Sequence, residues 1–251
     1  MVIIIFFIVH WYVSLFSQTF LMHRYASHGA FQMSKFWERF FYIFAWLTMG
    51  SSYLSTRAYA TMHRMHHAFA DTPKDPHSPL YFPNVFAMMW QTAKTYTAIY
   101  EGRVPIEERF LKNVPDWPAF DRFASSMYTR VAWVAVYLAF YIRFATHWWL
   151  FLLLPFTILI GPVHGAVINW YAHKFGYKGY KVSNTSTNLL PIDIIMLGES
   201  YHNNHHKFAS SINFGVRWFE IDPVYYAILF LSFLGIVKLK PTSKDKIVTE
   251  F

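Results

Sequence analysis

The residues in this chain best suited to chemistry are histidines, and they come in clusters. His202, His205 and His206 lie in Gly198-Glu199-Ser200-Tyr201-His202-Asn203-Asn204-His205-His206, and His63, His66 and His67 repeat that spacing in His63-Arg64-Met65-His66-His67. On an α-helix, residues three and four apart share a face, so each trio can aim its imidazoles at one point. His23 and His28, in His23-Arg24-Tyr25-Ala26-Ser27-His28, are five apart, and a regular helix would separate them by about 140° of rotation. That box is therefore expected where a helix ends and the chain turns. His173 stands alone behind a long apolar segment.

Neutral imidazole suits iron, zinc, copper and nickel rather than magnesium or calcium. Nine such donors exceed what one ion needs. Shared between two five- or six-coordinate ions, they leave positions open for water, dioxygen or a bridging oxygen, as a closed structural site would not. A two-metal catalytic centre is the expectation. Chance clustering accounts for one HxxHH, but poorly for two copies and a third box. Metal-bound imidazoles usually donate their second ring nitrogen to a carboxylate or carbonyl. Glu199, three residues before His202, is the first candidate for that partner, with Asp71, Asp75 and Asp193 behind it.

The chain of 251 residues is 55% hydrophobic, 21% aromatic and only 14% charged, with a mean hydropathy of +0.21. That is too apolar for an ordinary soluble domain and reads as an all-α integral membrane protein. Cysteine is absent, which excludes disulfides, cysteine-ligated iron–sulfur clusters and thiolate metal sites. Electrons for such a site must come from another protein. The net charge of +8 carries no aromatic-interleaved groove pattern, so nucleic acid is not expected as a partner. Membrane topology accounts for the cations instead.

Met1 to His23 has no charged side chain and the length of a membrane span, about 20 residues. It lacks a basic leader and a small-residue cleavage site, and it runs straight into a histidine box, so it reads as a span rather than a signal peptide. Phe36 to Thr56 is strongly apolar only from Phe40 to Met49 and is expected to be interfacial or re-entrant. A full crossing there would put His28 and His63 on opposite faces of the membrane. Asp71 to Arg130 is polar and broken by prolines, an expected cap with short helices near Val85 to Ile99 and Asp121 to Tyr128. Val131 to Ala172 has the length of two spans joined near Arg143 to His147, with a kink expected at Gly161, Pro162 and Gly165. Pro223 to Val237 is read as an interfacial helix over the site. The sum is about three transmembrane helices with interfacial or re-entrant helices and a cytoplasmic cap, in one domain spanning residues 1–251. Every Lys and Arg except Arg143 then falls on the histidine side, which makes that side cytoplasmic.

The order of these boxes, with Asn169-Trp170-Tyr171-Ala172-His173 between the second and third, resembles the membrane fatty acid desaturases of the stearoyl-CoA desaturase type. The likeness runs from about His23 to about Phe208 and includes Asp71-Thr72-Pro73-Lys74-Asp75-Pro76-His77. It implies two irons held by His23, His28, His63, His66, His67, His173, His202, His205 and His206, with Asn169 reaching one of them through water. It also implies a reaction in which dioxygen places a cis double bond in a fatty acyl chain, without haem or flavin. Zinc, which takes the same donors, can replace iron in a purified sample. The electron donor would be a ferredoxin, a rubredoxin or a cytochrome b5-like protein with its reductase. Two departures concern the acyl carrier: animal members have an Arg-Asp pair where Thr61-Met62 stands here, and one more span before the first box. Coenzyme A, acyl carrier protein and a membrane lipid therefore all stay open, in a bilayer expected to be a bacterial inner membrane.

Trp46 and Trp170, with Trp148 and Trp149, are candidates to line an acyl tunnel, although ordinary packing explains most aromatics. His77 is set either to meet the headgroup or metal site or to sit exposed in its loop. His164 is expected to bond a neighbouring helix, and His10 and His147 to be structural. A two-iron hydroxylase of alkyl or lipid substrates is the nearest rival, since hydrogen abstraction with oxygen rebound needs the same ligands. A zinc hydrolase or metal transporter is the more distant one.

Overall fold

In the computed structural model, which describes residues 1–240, the apolar opening run forms α1, Val2–Ser17. The helix does not stop there but widens into a π-helix over Gln18–Ser27. The first histidine box occupies the end of this helix, which has i→i+5 bonds, the His28 amide donating to the His23 carbonyl at 3.2 Å. The helix stops at Ser27 and His28 caps it in a turn, so the box does lie where a helix ends and the chain turns. The π-helix restores by its longer repeat what a regular helix denies, and His23 and His28 come to one face with ring centroids 5.0 Å apart.

The chain then makes strand β1, Phe31–Met33, and enters α2, Lys35–Met49, whose first turn is capped by Ser34. This helix runs back along α1, pairing Phe41 with Phe20 and Thr48 with Ser17. Gly50 reverses it at φ +53°, where a Cβ would fall 1.8 Å from the Tyr137 hydroxyl, so only glycine fits. A short 3-10 turn, Gly50–Ser52, leads into α3, Thr56–Phe69, which climbs back against the π-helix with the second histidine trio. This stretch thus forms a helix–turn–helix excursion that returns to the first box.

Ser55 caps α3, its Oγ accepting from the Ala58 amide and donating to Asp121 at 2.7 Å. Asp121 also accepts from the Tyr53 hydroxyl at 2.7 Å, so the cap ties down the start of the histidine helix. The cap contains α4 (Val85–Tyr100), α5 (Glu108–Leu111) and α6 (Pro118–Ala124). The helix expected over Asp121 to Tyr128 is split at Ser125–Ser126, where Ser126 caps α7, Met127–Phe144.

A three-residue turn after α7 returns the chain through the 3-10 segment Trp148–Leu153 and α8, Leu154–Ile158, to α9, Ile160–Ala166. The return arm bends by 72° between Ile158 and Ile160, just ahead of the expected glycine–proline site. It ends in a second π-helix, Val167–Tyr171. Val2–Ser27 is long and apolar enough to cross a membrane, and the bent pair makes a second candidate if counted as one span. The expected third is not matched, because α7 has the length but not the apolarity.

Beyond it come α10, His202–Lys207, and α11, Pro223–Phe233. Val224 and Ile228 of α11 join the core around Phe20, Leu21 and Phe31. The chain then adds strand β2, Val237–Leu239, antiparallel to β1. The expectation of a purely helical chain missed this small ribbon, whose three-residue strands are too short to show an alternating pattern. Lys244 and Lys246, two of the cations counted toward the histidine side, lie outside the described residues.

Candidate metal centre

Helix α10 has only six residues and would not persist alone. It is held by the asparagines between its histidines. Asn188 Oδ1 accepts from the Asn203 and Asn204 amides at 3.1 and 3.2 Å, serving the unsatisfied donors of the helix start. The Asn203 side chain accepts from the Gly179 and Tyr180 amides, and Asn204 donates to Phe214 O and to Glu220 at 3.0 and 2.8 Å. The histidines are left to point the other way.

All nine converge. His23, His28, His63, His67 and His205 form one set, and His66, His173, His202 and His206 form another, the ligand atoms of each lying within 4.8 Å of one another. The contacts are made by Nε2 atoms. His23–His205, His28–His63 and His67–His205 are separated by 3.0, 2.8 and 2.9 Å in the first set. In the second, His66–His206, His173–His202 and His202–His206 are separated by 3.2, 3.0 and 3.1 Å. Neighbouring ligands on one ion, with bonds of roughly 2.1 Å at right angles, stand about 3 Å apart. These edges fit that geometry, whereas two lone pairs facing each other would repel.

Burial, together with the repulsion of neighbouring imidazoles, holds His28, His63, His67, His202, His205 and His206 well below their ordinary pKa. His66 is pushed down to about 3, and His173 is lowered by burial despite Asp71 and Asp75. The neutral, ligating form is therefore the resting form.

Four of the Nδ1 atoms, those of His23, His66, His173 and His206, meet groups outside the cluster, whereas those of His202 and His205 have no hydrogen-bond partner. The Glu199 carboxylate lies 2.6 Å from His23 Nδ1 and also accepts from the Thr19 hydroxyl. Burial pushes this carboxyl up, but His23 and Arg24 bring it below its ordinary value. Asp75 sits 2.9 Å from His66 Nδ1. Thr185 Oγ1 lies 3.1 Å from His173 Nδ1 and donates to Asp71 at 2.8 Å, so Asp71 reaches that ring through a hydroxyl rather than directly. Asp193 touches no histidine. Its oxygens accept from the amides of Met196, Gly198 and Ser200 at 2.8 to 3.0 Å, so the expected ligand-orienting role gives way to building the turn before α10.

Two arginines carry the frame. Arg64 donates to the carbonyls of Ser27, Ala26 and Lys112, clamping the second box to the first. Arg24, fully buried, pairs with Asp222 at 2.8 Å and donates to Ile212 O, tying the first box to the cap of α11. Neither role was foreseen, although the His-Arg pair recurs in both boxes. Thr185 and the Asn184 amide, 3.1 Å from His206 Nδ1, were also missed, since they come from a loop distant in sequence.

A cavity of about 530 Å³ reaches the histidines and exposes His23, His63 and His202 on its wall. The rest of its lining is mostly apolar, with Leu15, Met62, Met89 and Ile168, and tyrosines at positions 59, 96 and 100. Asn169 is on the same wall, carried by the second π-helix rather than by the regular helix its four-residue spacing from His173 suggested.

The tryptophan expectations fail. Trp46 packs against Phe120, Phe123 and Trp133, and Trp170 lies under the Lys174 ammonium at 3.7 Å; neither lines this cavity. Trp148 and Trp149 are exposed. His77 is buried, lines the cavity and lies 4.3 Å from the His66 ring, which discards its exposed alternative. His164 reaches the same cavity edge-on to Trp11, and neither ring nitrogen has a hydrogen-bond partner, against the expected bond to a neighbouring helix.

Comparison with known proteins decides the family. The sequence profile described as Fatty acid desaturase matches residues 1–229, nearly the whole chain. The chain belongs to the fatty acid desaturase family. It is an oxidoreductase that desaturates fatty acyl chains. The desaturase is 30% identical over 241 residues to the Delta-9 desaturase-like 2 protein of Arabidopsis thaliana, covering 91% of this chain and 74% of the relative. It is 30% identical to the sn-1 stearoyl-lipid 9-desaturase of a Synechocystis species, over 86% of this chain and 64% of that one. An Acyl-CoA 5-desaturase of Anemone leveillei is 29% identical, over 88% and 66%. The desaturase thus resembles proteins named for lipid-linked and for coenzyme A-linked substrates alike.

Proposed function

We propose that this desaturase introduces a cis double bond into a saturated acyl chain at a centre of two irons, using dioxygen and two external electrons. His23, His28, His63, His67 and His205 would hold one iron. His66, His173, His202 and His206 would hold the other, whose smaller ligand set leaves room for a water held by Asn169. Iron bound there supplies dioxygen binding and one-electron oxidation. The observation that carries this reading is the meeting of both histidine sets with the wall of one largely apolar cavity.

The protein's own part is positioning. The cavity, within the roughly 300–1,000 Å³ of ordinary ligand pockets, sets one stretch of acyl chain beside His23, His63 and His202 and keeps water away. Glu199 and Asp75 orient His23 and His66, while Thr185 relays Asp71 to His173. The balance is one acyl –CH2–CH2– unit, one dioxygen, two protons and two donor electrons giving one –CH=CH– unit and two waters. The headgroup, whether coenzyme A, acyl carrier protein or glycerolipid, would stay outside near the cap. The whole chain acts as a single membrane-bound domain, with the metal centre on the cytoplasmic side.

Mass spectrometry of fatty acids from cells expressing the protein, with double-bond location, tests the reading. A new monoenoic acid of unchanged oxygen content is the expected product. An alcohol labelled from oxygen gas as main product would replace desaturation with hydroxylation.

A further inference from the structure

The first helix is mostly apolar, yet it carries a polar row. His10, Ser14 and Gln18 follow one another at four-residue intervals, Gln18 opening the π-helix, so they share one face. All three are buried, at 5, 0 and 9% exposure. His164 of α9, 1% exposed, meets the same helix edge-on to Trp11. Ser14 Oγ, Gln18 Oε1 and both ring nitrogens of His164 have no hydrogen-bond partner in the protein. Buried polar atoms without partners are costly, and in an apolar segment they mark a place where something binds.

The row has two ends. At one, Gln18 and His164 both lie in the lining of the catalytic cavity, beside Thr19 and His23. At the other, His10 Nε2 lies 3.2 Å from the Tyr137 hydroxyl. One turn further along α7 the Tyr141 hydroxyl lies 2.8 Å from Thr157 Oγ1, and Tyr141 packs with Ile3 and Leu150 at the start of α1. Polar groups therefore run the length of α1, away from the metal centre.

The chemistry of the row selects its ligand. An amide oxygen accepts, a neutral imidazole donates from one nitrogen and accepts at the other, and a hydroxyl does both. The row contains no carboxylate, lysine or arginine to hold an ion. A polar group on the acyl chain can reach Gln18 and His164 but not Ser14, which is outside the cavity lining. Water suits all of them, since a buried water makes about three hydrogen bonds to groups the protein leaves unsatisfied.

We propose that this row binds a file of water molecules, from the cavity past Ser14 to the His10–Tyr137 pair, through which water made in the reaction leaves the acyl cavity. The file needs only the polar row, whereas its use as an exit rests on the desaturase reading above. The cavity is largely apolar and holds the acyl chain, so water formed beside His23 finds hydrogen-bond partners along α1 rather than among methylenes.

The test is brief X-ray radiolysis of the full-length, metal-loaded protein in lipid nanodiscs and heavy-oxygen water, read by mass spectrometry. Hydroxyl radicals born on bound water should mark His10 and His164 but spare Phe20 and Met49, which are fully buried in the apolar core. Ser14→Val fills the middle of the row without touching the cavity lining. It should lose the mark on His10 and keep the one on His164, with metal content and the KM for acyl substrate unchanged and kcat lowered severalfold. If that variant fails to fold, Ser14→Ala removes the hydroxyl without bulk and should lose the His10 mark in the same way. Native His10 and His164 as unmarked as Met49 would overturn the proposal. So would a His10 mark that survives both substitutions, or a native kcat in a variant that has lost it. Marked histidines in a native protein that forms no alkene would leave the file standing and sink the desaturase reading instead.

Discussion

The His67 Nε2 lies 2.9 Å from that of His205, so His67→Ala removes one corner of the first ligand set. We expect that substitution to abolish the new alkene in expressing cells and to lower the metal bound per chain. An unchanged yield would remove His67 from the ligands. Glu199→Gln keeps the shape but takes away the charge beside His23 Nδ1. Metal affinity should fall by roughly 10–100-fold, as for other groups that orient a ligand, which competition with a graded chelator would measure. Most of this scale was legible beforehand, because ligand type and spacing are local properties of the chain. His164 and the tryptophans were not, since the same residue type packs a core or lines a cavity according to neighbours that arrive from elsewhere. Asp193 is the sharpest case. It stood as close to the third box as other carboxylates did, yet the tight turn around it left three backbone amides needing an acceptor.

Two π-helices, Gln18–Ser27 and Val167–Tyr171, put His23 level with His28 and bring Asn169 to the cavity wall. No propensity signals an i→i+5 repeat, so regular helical spacing foresaw neither of the two. The start of α3 depends on Asp121, whose carboxyl burial raises from 3.8 to about 6, partly offset by bonds from Ser55 and Tyr53. A carboxyl raised on folding favours the folded state while protonated. Its contribution is therefore full below about pH 4 and falls away as pH rises through about 6. In Asp121→Asn that part of the slope should vanish, and thermal melting across this window would measure it. Gly50→Ala, forced into a positive φ and against Tyr137, should lower the melting temperature and loosen the re-entrant excursion.

Taken whole, the molecule is a set of helices bent so that boxes some 180 positions apart share one cluster beside one cavity. Gly165 lines that cavity with room for a side chain, its nearest neighbours to an added Cβ being Met89 and Asn169 at 3.6 and 3.8 Å. Gly165→Leu should narrow the space for the acyl chain and shift products toward shorter chains while metal content holds, as gas chromatography and metal analysis would report. By itself the sequence determined which histidines cluster and the helical class. Those follow from residue chemistry and from the periodicity and apolarity of short stretches. Only the tertiary structure decided how the donors divide between two sets, which groups hold their second nitrogens, and that tyrosines and methionines rather than tryptophans wall the cavity. Each of these depends on side chains that meet across the fold, where distance along the chain carries no information.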